Sequence, residues 1–259
     1  MYENSRLLID SSNPPEPGQI VWRSPSNLAI IKYWGKHGVQ LPRNPSLSLT
    51  LSASCTDTAL AYEFREETDN RIDLEFLFHG EENESFRTKT LAFLESLTPQ
   101  FPFLRQLKLR INTGNSFPHS AGIASSASSM ASLALCLCSL EDALFGSLQD
   151  PGDFDQKASY LARLGSGSAC RSIFPYASVW GATPAVPGSS DEYGVPAEDL
   201  LHPDFKDLHD DILIVSSREK TVSSRAGHAL MEGNPFAEPR YAQAKNRMTR
   251  LVDALRGGD

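Results

Sequence analysis

TGNSFPHSAGIASSASSMASLALCLCSL, residues 113–140, is a run of small residues that leads into an apolar segment. The apolar segment predicts a buried helix. Before it, small residues allow backbone N–H groups to approach a phosphate at the start of that helix. The spacing matches neither a P-loop nor a dinucleotide-binding turn. A Ser/Ala-rich helix packed closely against a neighbour is the alternative, and this stretch alone leaves both open.

The segments around this stretch alternate irregularly between strand and helix patterns, which is typical of an α+β fold. The acidic stretch 63–89 predicts a solvent-facing antiparallel hairpin. Four Pro residues in 184–205 predict a long loop. Strands are expected at 28–34, 46–54, 107–112 and 211–217, and helices at 88–97, 154–164 and 236–256. We expect a loose leader over 1–19, a first domain over 20–205 and part of a second domain over 206–259.

The amino-acid composition limits the classes of function that the protein can have. With 24 Lys+Arg against 32 Asp+Glu the net charge is −8, which argues against general affinity for nucleic acid or an anionic membrane. The N-terminus lacks the pattern of a secretory signal, and no apolar run is expected to span a bilayer. The four cysteines form no CxxC pair, so Cys136 and Cys138 are predicted to pack in the core of a protein of the reducing cytosol.

A second candidate site is GSGSACRS, residues 165–172, directly after a predicted helix. Gly165 and Gly167 allow unusual backbone conformations. Ser166, Ser168 and Arg171 together suit recognition of an oxyanion, because the planar guanidinium can hold a carboxylate with two hydrogen bonds. A helix end followed by a flexible turn is the alternative, which explains Gly165 but not the rest.

Two weaker candidates flank these sites. In KYWGK, residues 32–36, an extended chain would place Lys32, Trp34 and Lys36 on one face and Tyr33 on the other. This pattern suits an anion site or an edge strand with exposed lysines. The sequence VSSR, residues 222–225, follows a predicted buried strand and could hold a phosphate.

Taken together, SPSNLAIIKYWGK, FPHSAGIASSAS, GSGSACRS and SSRAG resemble, in order and spacing, the diphosphomevalonate decarboxylases of the GHMP kinase superfamily. The resemblance covers about Ile20 to the end. It implies a two-domain fold, with a first domain like ribosomal protein S5 domain 2 and an incomplete ferredoxin-like second domain. It also implies ATP-dependent decarboxylation of 5-diphosphomevalonate to isopentenyl diphosphate, with Mg²⁺, in a cytoplasmic homodimer of the mevalonate pathway.

The resemblance also implies residue roles. Arg171 would grip the substrate carboxylate beside Ser166 and Ser168, and would be catalytic together with Lys36 and Ser125. Ser125 would face the transferred phosphate, Ser126 would help to hold Mg²⁺, and Asn27 would support the nucleotide side. The ATP phosphates would lie on Ser120, Ala121, Gly122, Ile123, Ala124, Ser125 and Ser126. The diphosphate would be held by Tyr33, Lys36, Ser224 and Arg225.

One departure separates this chain from the pattern. The family carries, near its C-terminus, an Asp in a DAGPN-like motif that acts on the 3-hydroxyl, and no such motif occurs in the 259 residues. We therefore expect this chain by itself to be inactive or nearly so. Two alternatives remain open: a mevalonate 3-kinase or phosphomevalonate decarboxylase of the same superfamily, or a non-catalytic nucleotide-binding remnant.

Overall fold

The computed structural model describes residues 1–67, 69–118, 123–211 and 224–259, with the side chains of Ser224 and Arg225 outside that description. Within these ranges the chain forms a seven-stranded mixed sheet, a two-stranded hairpin and packed helices, which confirms the α+β class. The strands are β1 (Gly18–Ile31), β2 (Lys36–His37), β3 (Leu41–Pro42), β4 (Ser46–Phe64), β5 (Asp73–Phe78), β6 (Glu81–Glu82), β7 (Leu107–Asn115), β8 (Ala177–Trp180) and β9 (Gly194–Pro196). The helices are α1 (Glu84–Ser96), α2 (Ser125–Phe145), α3 (Pro151–Gly165), α4 (Ser224–Ala229) and α5 (Ala237–Gly257).

Strand β4 organises the sheet. It pairs antiparallel with β1 along most of its length, from Tyr62 opposite Gly18 to Leu47 opposite Ile31. Its other edge takes β8 in its first half and β7 in its second half. The strand predictions for 46–54 and 107–112 are confirmed. Serines and leucines alternate along the start of β4, and this register later places two serines in the candidate site.

The strand predicted over 28–34 ends early, at Ile31. The side chain of Asn44 replaces the strand ladder there: its Oδ1 accepts from the Trp34 N–H at 3.0 Å, and its Nδ2 donates to the Lys32 carbonyl at 3.1 Å. Gly35 then turns the chain with a φ of +66°, a conformation that favours glycine. The strand prediction is therefore wrong for residues 32–34, and the alternation that an extended KYWGK would give is interrupted at Gly35.

The acidic stretch does form an antiparallel hairpin, between β5 and β6. It is only partly solvent-facing, because β5 also pairs parallel with β7 and buries Leu74 and Phe76. Helix α1 begins at Glu84, four residues before the predicted start, since the Asn83 side chain accepts from the Phe86 N–H at 3.0 Å and caps the helix.

Helices α2 and α3 form the core with this sheet, as predicted. Cys136 and Cys138 are fully buried on α2, and burial raises the pKa of Cys136 to about 12. By length and composition α2 could cross a membrane, contrary to the sequence expectation, but 61% of its most apolar window is buried inside the fold. We therefore assign α2 to the core.

Residues before β1 form no helix or strand but are not loose, contrary to the expected leader. Leu7 and Ile9 are buried in the core. The Gln106 side chain exchanges two hydrogen bonds with the Ile9 backbone, at 2.9 and 3.0 Å. The Tyr2 hydroxyl accepts from the Gln156 side chain at 2.8 Å. Burial of the Leu7 and Ile9 side chains therefore packs the N-terminal residues against the core.

The C-terminal part of the described chain packs on the sheet. The long loop predicted over 184–205 contains β9, which pairs with β8, so that prediction is wrong at Gly194–Pro196. The predicted helix at 236–256 is confirmed as α5, whose Met248 and Val252 join a core cluster with Ile31 and Leu47. In the strand predicted at 211–217, residues 212–217 lie outside the described residues.

Candidate active site

Arg171 lies in the 3-10 turn Gly167–Ile173 and is 2% exposed. Its Nε donates to the Ser48 hydroxyl and its Nη1 to the Ser46 hydroxyl. Nε and Nη2 also approach Asn27 Oδ1, at 3.4 and 3.3 Å. Burial lowers the pKa of the guanidinium, and among the described residues no carboxylate acts on it. A buried cation is thus held by neutral oxygens.

Two aromatic rings complete the surroundings of Arg171. Its guanidinium carbon lies 5.5 Å from the Tyr33 ring centre and 5.8 Å from that of Trp180, within cation–π range. The two rings meet edge to face at 4.7 Å. Gly167 makes room for them, because a Cβ at that position would lie 2.8 Å from the Trp180 ring.

Tyr33 connects this pocket to helix α4. Its ring stacks on His228 with 4.6 Å between centres and 12° between planes. Burial raises the pKa of the Tyr33 hydroxyl, opposed by Arg171 and by hydrogen bonding to Ser168. Burial, together with the charge of Lys36, lowers the pKa of His228 to about 4, so the imidazole is neutral at pH 7.

The hairpin of β2 and β3 brings Lys36 close to the Tyr33 ring. Lys36 Nζ donates to Gln40 Oε1 and lies 5.7 Å from the Tyr33 ring centre. The tip of the hairpin is held from outside, because Arg163 Nη1 donates to the Val39 carbonyl. The predicted substrate residues Tyr33, Lys36, Ser168 and Arg171 are therefore brought together.

A cavity of about 620 Å³ opens beside Lys36 and is also lined by His228, the residue that stacks on Tyr33. Helix α5 closes one side at Gly35, where a Cβ would lie only 2.3 Å from the Tyr241 hydroxyl oxygen. Polar and apolar surface contribute about equally to the wall. The polar lining residues include Lys36, Arg43, His228, Glu232, Glu238 and Tyr241.

The small-residue segment supplies the start of α2. Ala124 has a left-handed φ of 54°, and no side chain among the described residues caps the first turn of the helix. The Ala127 N–H donates to the Ala124 carbonyl at 2.8 Å, whereas the N–H groups of Ser125 and Ser126 have no side-chain cap among the described residues, which fits a phosphate. Ser126 is exposed, and its hydroxyl lies 3.3 Å from that of Ser166. Ser120, Ala121 and Gly122 lie outside the described residues, whereas Ile123, Ala124 and half-buried Ser125 lie within them.

Asn27 is buried against the turn that carries Arg171, and its expected role on the nucleotide side stays a prediction. Its Nδ2 donates to the Ser172 hydroxyl at 2.7 Å and to the Ser168 carbonyl at 3.1 Å, while its Oδ1 faces Arg171. Asn27 therefore orients the turn that carries Arg171. Ser224 begins α4, and the side chains of Ser224 and Arg225 lie outside the described residues.

Sequence reasoning missed Ser46, Ser48, Trp180 and His228. The alternation in β4 already placed both serines on one strand face, which was a usable signal for a polar lining. Trp180 and His228 stand in unremarkable contexts, and only the fold brings them to Tyr33.

A family model described as the diphosphomevalonate decarboxylase-like N-terminal domain matches residues 24–190, more than half of the chain. The chain belongs to this family. It is 35% identical, over 219 residues, to the diphosphomevalonate decarboxylase of Saccharomyces cerevisiae, an alignment that covers 80% of this chain and 52% of the yeast protein. The family resemblance of the motifs is thus confirmed.

Solved structures agree with this assignment. The mevalonate diphosphate decarboxylase of Legionella pneumophila superposes with a TM-score of 0.69 at 29% identity, covering 93% of this chain and 72% of that one. A complex of MDDEF with MVAPP, AMPPCP and magnesium gives 0.69 at 28% identity, covering 94% and 69%. The expected superfamily fold is confirmed by these matches. The chain spans about half the length of the curated relatives it matches.

Proposed function

We propose that this chain forms the substrate- and phosphate-binding part of a diphosphomevalonate decarboxylase. The reaction would convert 5-diphosphomevalonate and ATP to isopentenyl diphosphate, ADP, phosphate and CO₂. The observation that carries the proposal is the buried Arg171, whose described partners are neutral oxygens. A buried cation is costly unless an anion pairs with it, and the substrate carboxylate is that anion.

Arg171 has donors to spare for this role. A guanidinium carries five N–H groups in a planar fork, and Ser46, Ser48 and Asn27 fix its plane. A carboxylate can then be held in one orientation. Orientation matters because the C1–C2 bond must lie opposite the leaving group at C3 for its electron pair to form the new double bond.

The start of α2 suits the phosphate end of ATP. Uncapped N–H groups and the Ser125 and Ser126 hydroxyls can donate to phosphate oxygens. The structurally similar protein MDDEF was solved in complex with AMPPCP and magnesium, which supports ATP as the cosubstrate and Mg²⁺ as the cofactor. Mg²⁺ keeps several water ligands and binds phosphate oxygens, so it needs few ligands from the protein. The exposed Ser126 hydroxyl would be such a ligand. The ion would neutralise negative charge on the phosphates.

The chemistry follows from these positions. The 3-hydroxyl oxygen of the substrate takes the terminal phosphoryl group of ATP, and the resulting phosphate leaves C3 with the bonding electron pair. Positive charge develops at C3, so preorganised donors around the leaving phosphate lower the barrier. The carboxylate on Arg171 leaves as CO₂ when the C1–C2 pair moves to C2–C3.

The setting of the enzyme is part of the proposal. Four buried free thiols suit a reducing compartment such as the cytoplasm. Family resemblance suggests a homodimer, which gel filtration with light scattering would test. The negative net charge argues against nucleic-acid and membrane partners.

Two measurements test the proposal. The first is binding of the substrate to the 259-residue chain, and the second is CO₂ release by the longest natural form of the protein. We expect 5-diphosphomevalonate to bind more tightly than 5-phosphomevalonate or mevalonate in calorimetry. Arg171→Lys should weaken that binding at least about 30-fold, because a buried bidentate pair is lost. Arg23→Lys is the matched control, since Arg23 forms an exposed pair with Asp57. Tighter binding of mevalonate, or an unaffected Arg171→Lys variant, would reject the assignment.

A further inference from the structure

The cavity beside Lys36 has walls of opposite charge. Lys36 and Arg43 line it from the side of the β2–β3 hairpin, Glu232 lines it from the segment between α4 and α5, and Glu238 lines it from the first turn of α5. His228 reaches the Lys36 side of the cavity from α4, because its ring stacks on Tyr33 at 4.6 Å and Lys36 Nζ lies 5.7 Å from the centre of that same ring. An anion in this cavity would therefore settle towards Lys36, Arg43 and His228 and away from the two carboxylates.

The His228 ring is held in place, but one of its two nitrogens has no hydrogen-bond partner among the described residues. Its ring stacks on Tyr33 with 12° between planes, which fixes the orientation of both rings. Its Nδ1 is buried without a hydrogen-bond partner among the residues that the structure describes. A buried polar atom of this kind carries a desolvation cost that a purely structural aromatic side chain would avoid.

The groups that face His228 come from every element around it: Lys36 on β2, Arg43 after β3, Tyr33 after β1, Glu232 and Glu238 beyond α4, and Tyr241 on α5. Burial and Lys36 together keep the pKa of His228 at about 4. A polyanion beside the ring opposes the Lys36 charge and favours the imidazolium. The cavity therefore couples anion entry to the charge of this side chain.

We propose that, in mildly acidic solution, His228 takes up a proton from solvent when the diphosphate end of the substrate enters this cavity, and then holds that end together with Lys36 and Arg43. The inference rests on the proposed function, because it takes the diphosphate of that substrate as the occupant. His228 is then a specificity residue for highly charged substrate forms, as well as a support for Tyr33.

A stacking role alone makes a different prediction. Phenylalanine at this position preserves a flat ring against Tyr33 but cannot titrate, so His228→Phe separates stacking from charge. His209→Gln is the matched control, because His209 is exposed and stands outside the cavity.

The experiment measures binding of inorganic diphosphate and of 5-diphosphomevalonate by calorimetry, in two buffers of different ionisation enthalpy. If the pKa of His228 rises from about 4 to about 6 on binding, the wild type takes up about 0.7 proton more than His228→Phe near pH 5.5. Binding is then about fourfold tighter than in the variant at pH 5.5, and equal near pH 7.5 where both states are neutral. Proton uptake belonging to the ligand itself cancels in the comparison.

The same titration followed by NMR of the His228 ring, assigned through His228→Phe, should show its pKa rising with diphosphate, while His209→Gln behaves like the wild type. Diphosphate binding with the same proton uptake in wild type and His228→Phe overturns this inference and leaves the proposed function standing. Failure of the wild type to bind either ligand overturns both.

Discussion

The Ser126 hydroxyl lies 3.3 Å from the Ser166 hydroxyl, so the start of α2 meets the turn that carries Arg171. In the sequence these were separate candidates, one for a phosphate and one for a carboxylate. Gly165 permits their approach, because a Cβ there would lie 2.6 Å from Met130 Sδ. The proposed phosphate site at the start of α2 and the proposed carboxylate site at Arg171 are neighbours through this contact.

Gly165→Ala tests that close approach. The added methyl group meets Met130 on α2, so the ends of α2 and α3 must move apart or the Met130 side chain must shift. We expect a loss of about 1–3 kcal/mol in the free energy of unfolding, as is usual for overpacking. Urea denaturation followed by circular dichroism measures it.

Gly257→Ala is the matched control. Gly257 is the last residue of α5, and a Cβ there meets nothing within 4 Å. Alanine should leave stability unchanged or raise it by up to about 1 kcal/mol, because alanine favours the helix. Equal stability of the two variants would show that the approach at Gly165 is unimportant.

Strands and helices that are encoded by a local pattern of apolar residues were predictable from the sequence. Alternation in 46–54 and 107–112 was sufficient for β4 and β7, and apolar spacing was sufficient for α2. The start of α1 was missed because a cap by Asn83 outweighed the apolar pattern. The end of β1 was missed because it depends on the side chain of Asn44, which lies 10 and 12 residues beyond its partners.

The candidate site was predictable in its members and less so in its arrangement. Motif resemblance identified Tyr33, Lys36 and Arg171, which the fold does bring together. The contact of Asn27 with Arg171 was not predicted, because it spans 144 residues and no local pattern encodes it. Burial of Leu7 and Ile9 was missed for the same reason, since isolated apolar residues have no periodicity.

Arg163 is expected to position the hairpin that carries Lys36. Its guanidinium donates to the Val39 carbonyl and to the Glu192 carbonyl, and pairs with the Glu192 carboxylate at 2.7 Å. Arg163→Met leaves these oxygens without their donor, which should cost about 1–3 kcal/mol. Hydrogen exchange should become faster in residues 36–42, and calorimetry should show weaker binding of 5-diphosphomevalonate.

The control for Arg163 is Arg110→Met, because Arg110 forms an exposed pair with Glu75 on the sheet. That change should cost less than about 1 kcal/mol and leave exchange in the hairpin unaltered. If the hairpin amides exchange equally fast in wild type and Arg163→Met, the positioning role is wrong.

The Lys157–Glu141 pair offers a test of how the core tolerates charge. Both side chains are at least 95% buried, and they join α3 to α2. Lys157 also lies 5.0 Å from the Phe101 ring centre, and Glu141 accepts from the Ser147 hydroxyl at 2.8 Å. Lys157→Met should cost about 3–5 kcal/mol, because it leaves an uncompensated carboxylate in the core.

Adding Glu141→Gln to Lys157→Met should recover much of that loss, since glutamine removes the stranded charge and keeps an acceptor for Ser147. The comparison pair is Arg23–Asp57, whose side chains are 70% and 50% exposed and whose coupling should stay below about 1 kcal/mol. Denaturation of both double-mutant cycles measures the two coupling energies. A double variant at Lys157 and Glu141 that is as unstable as Lys157→Met alone would mean that the cost comes from lost packing around the lysine stem, not from the buried carboxylate.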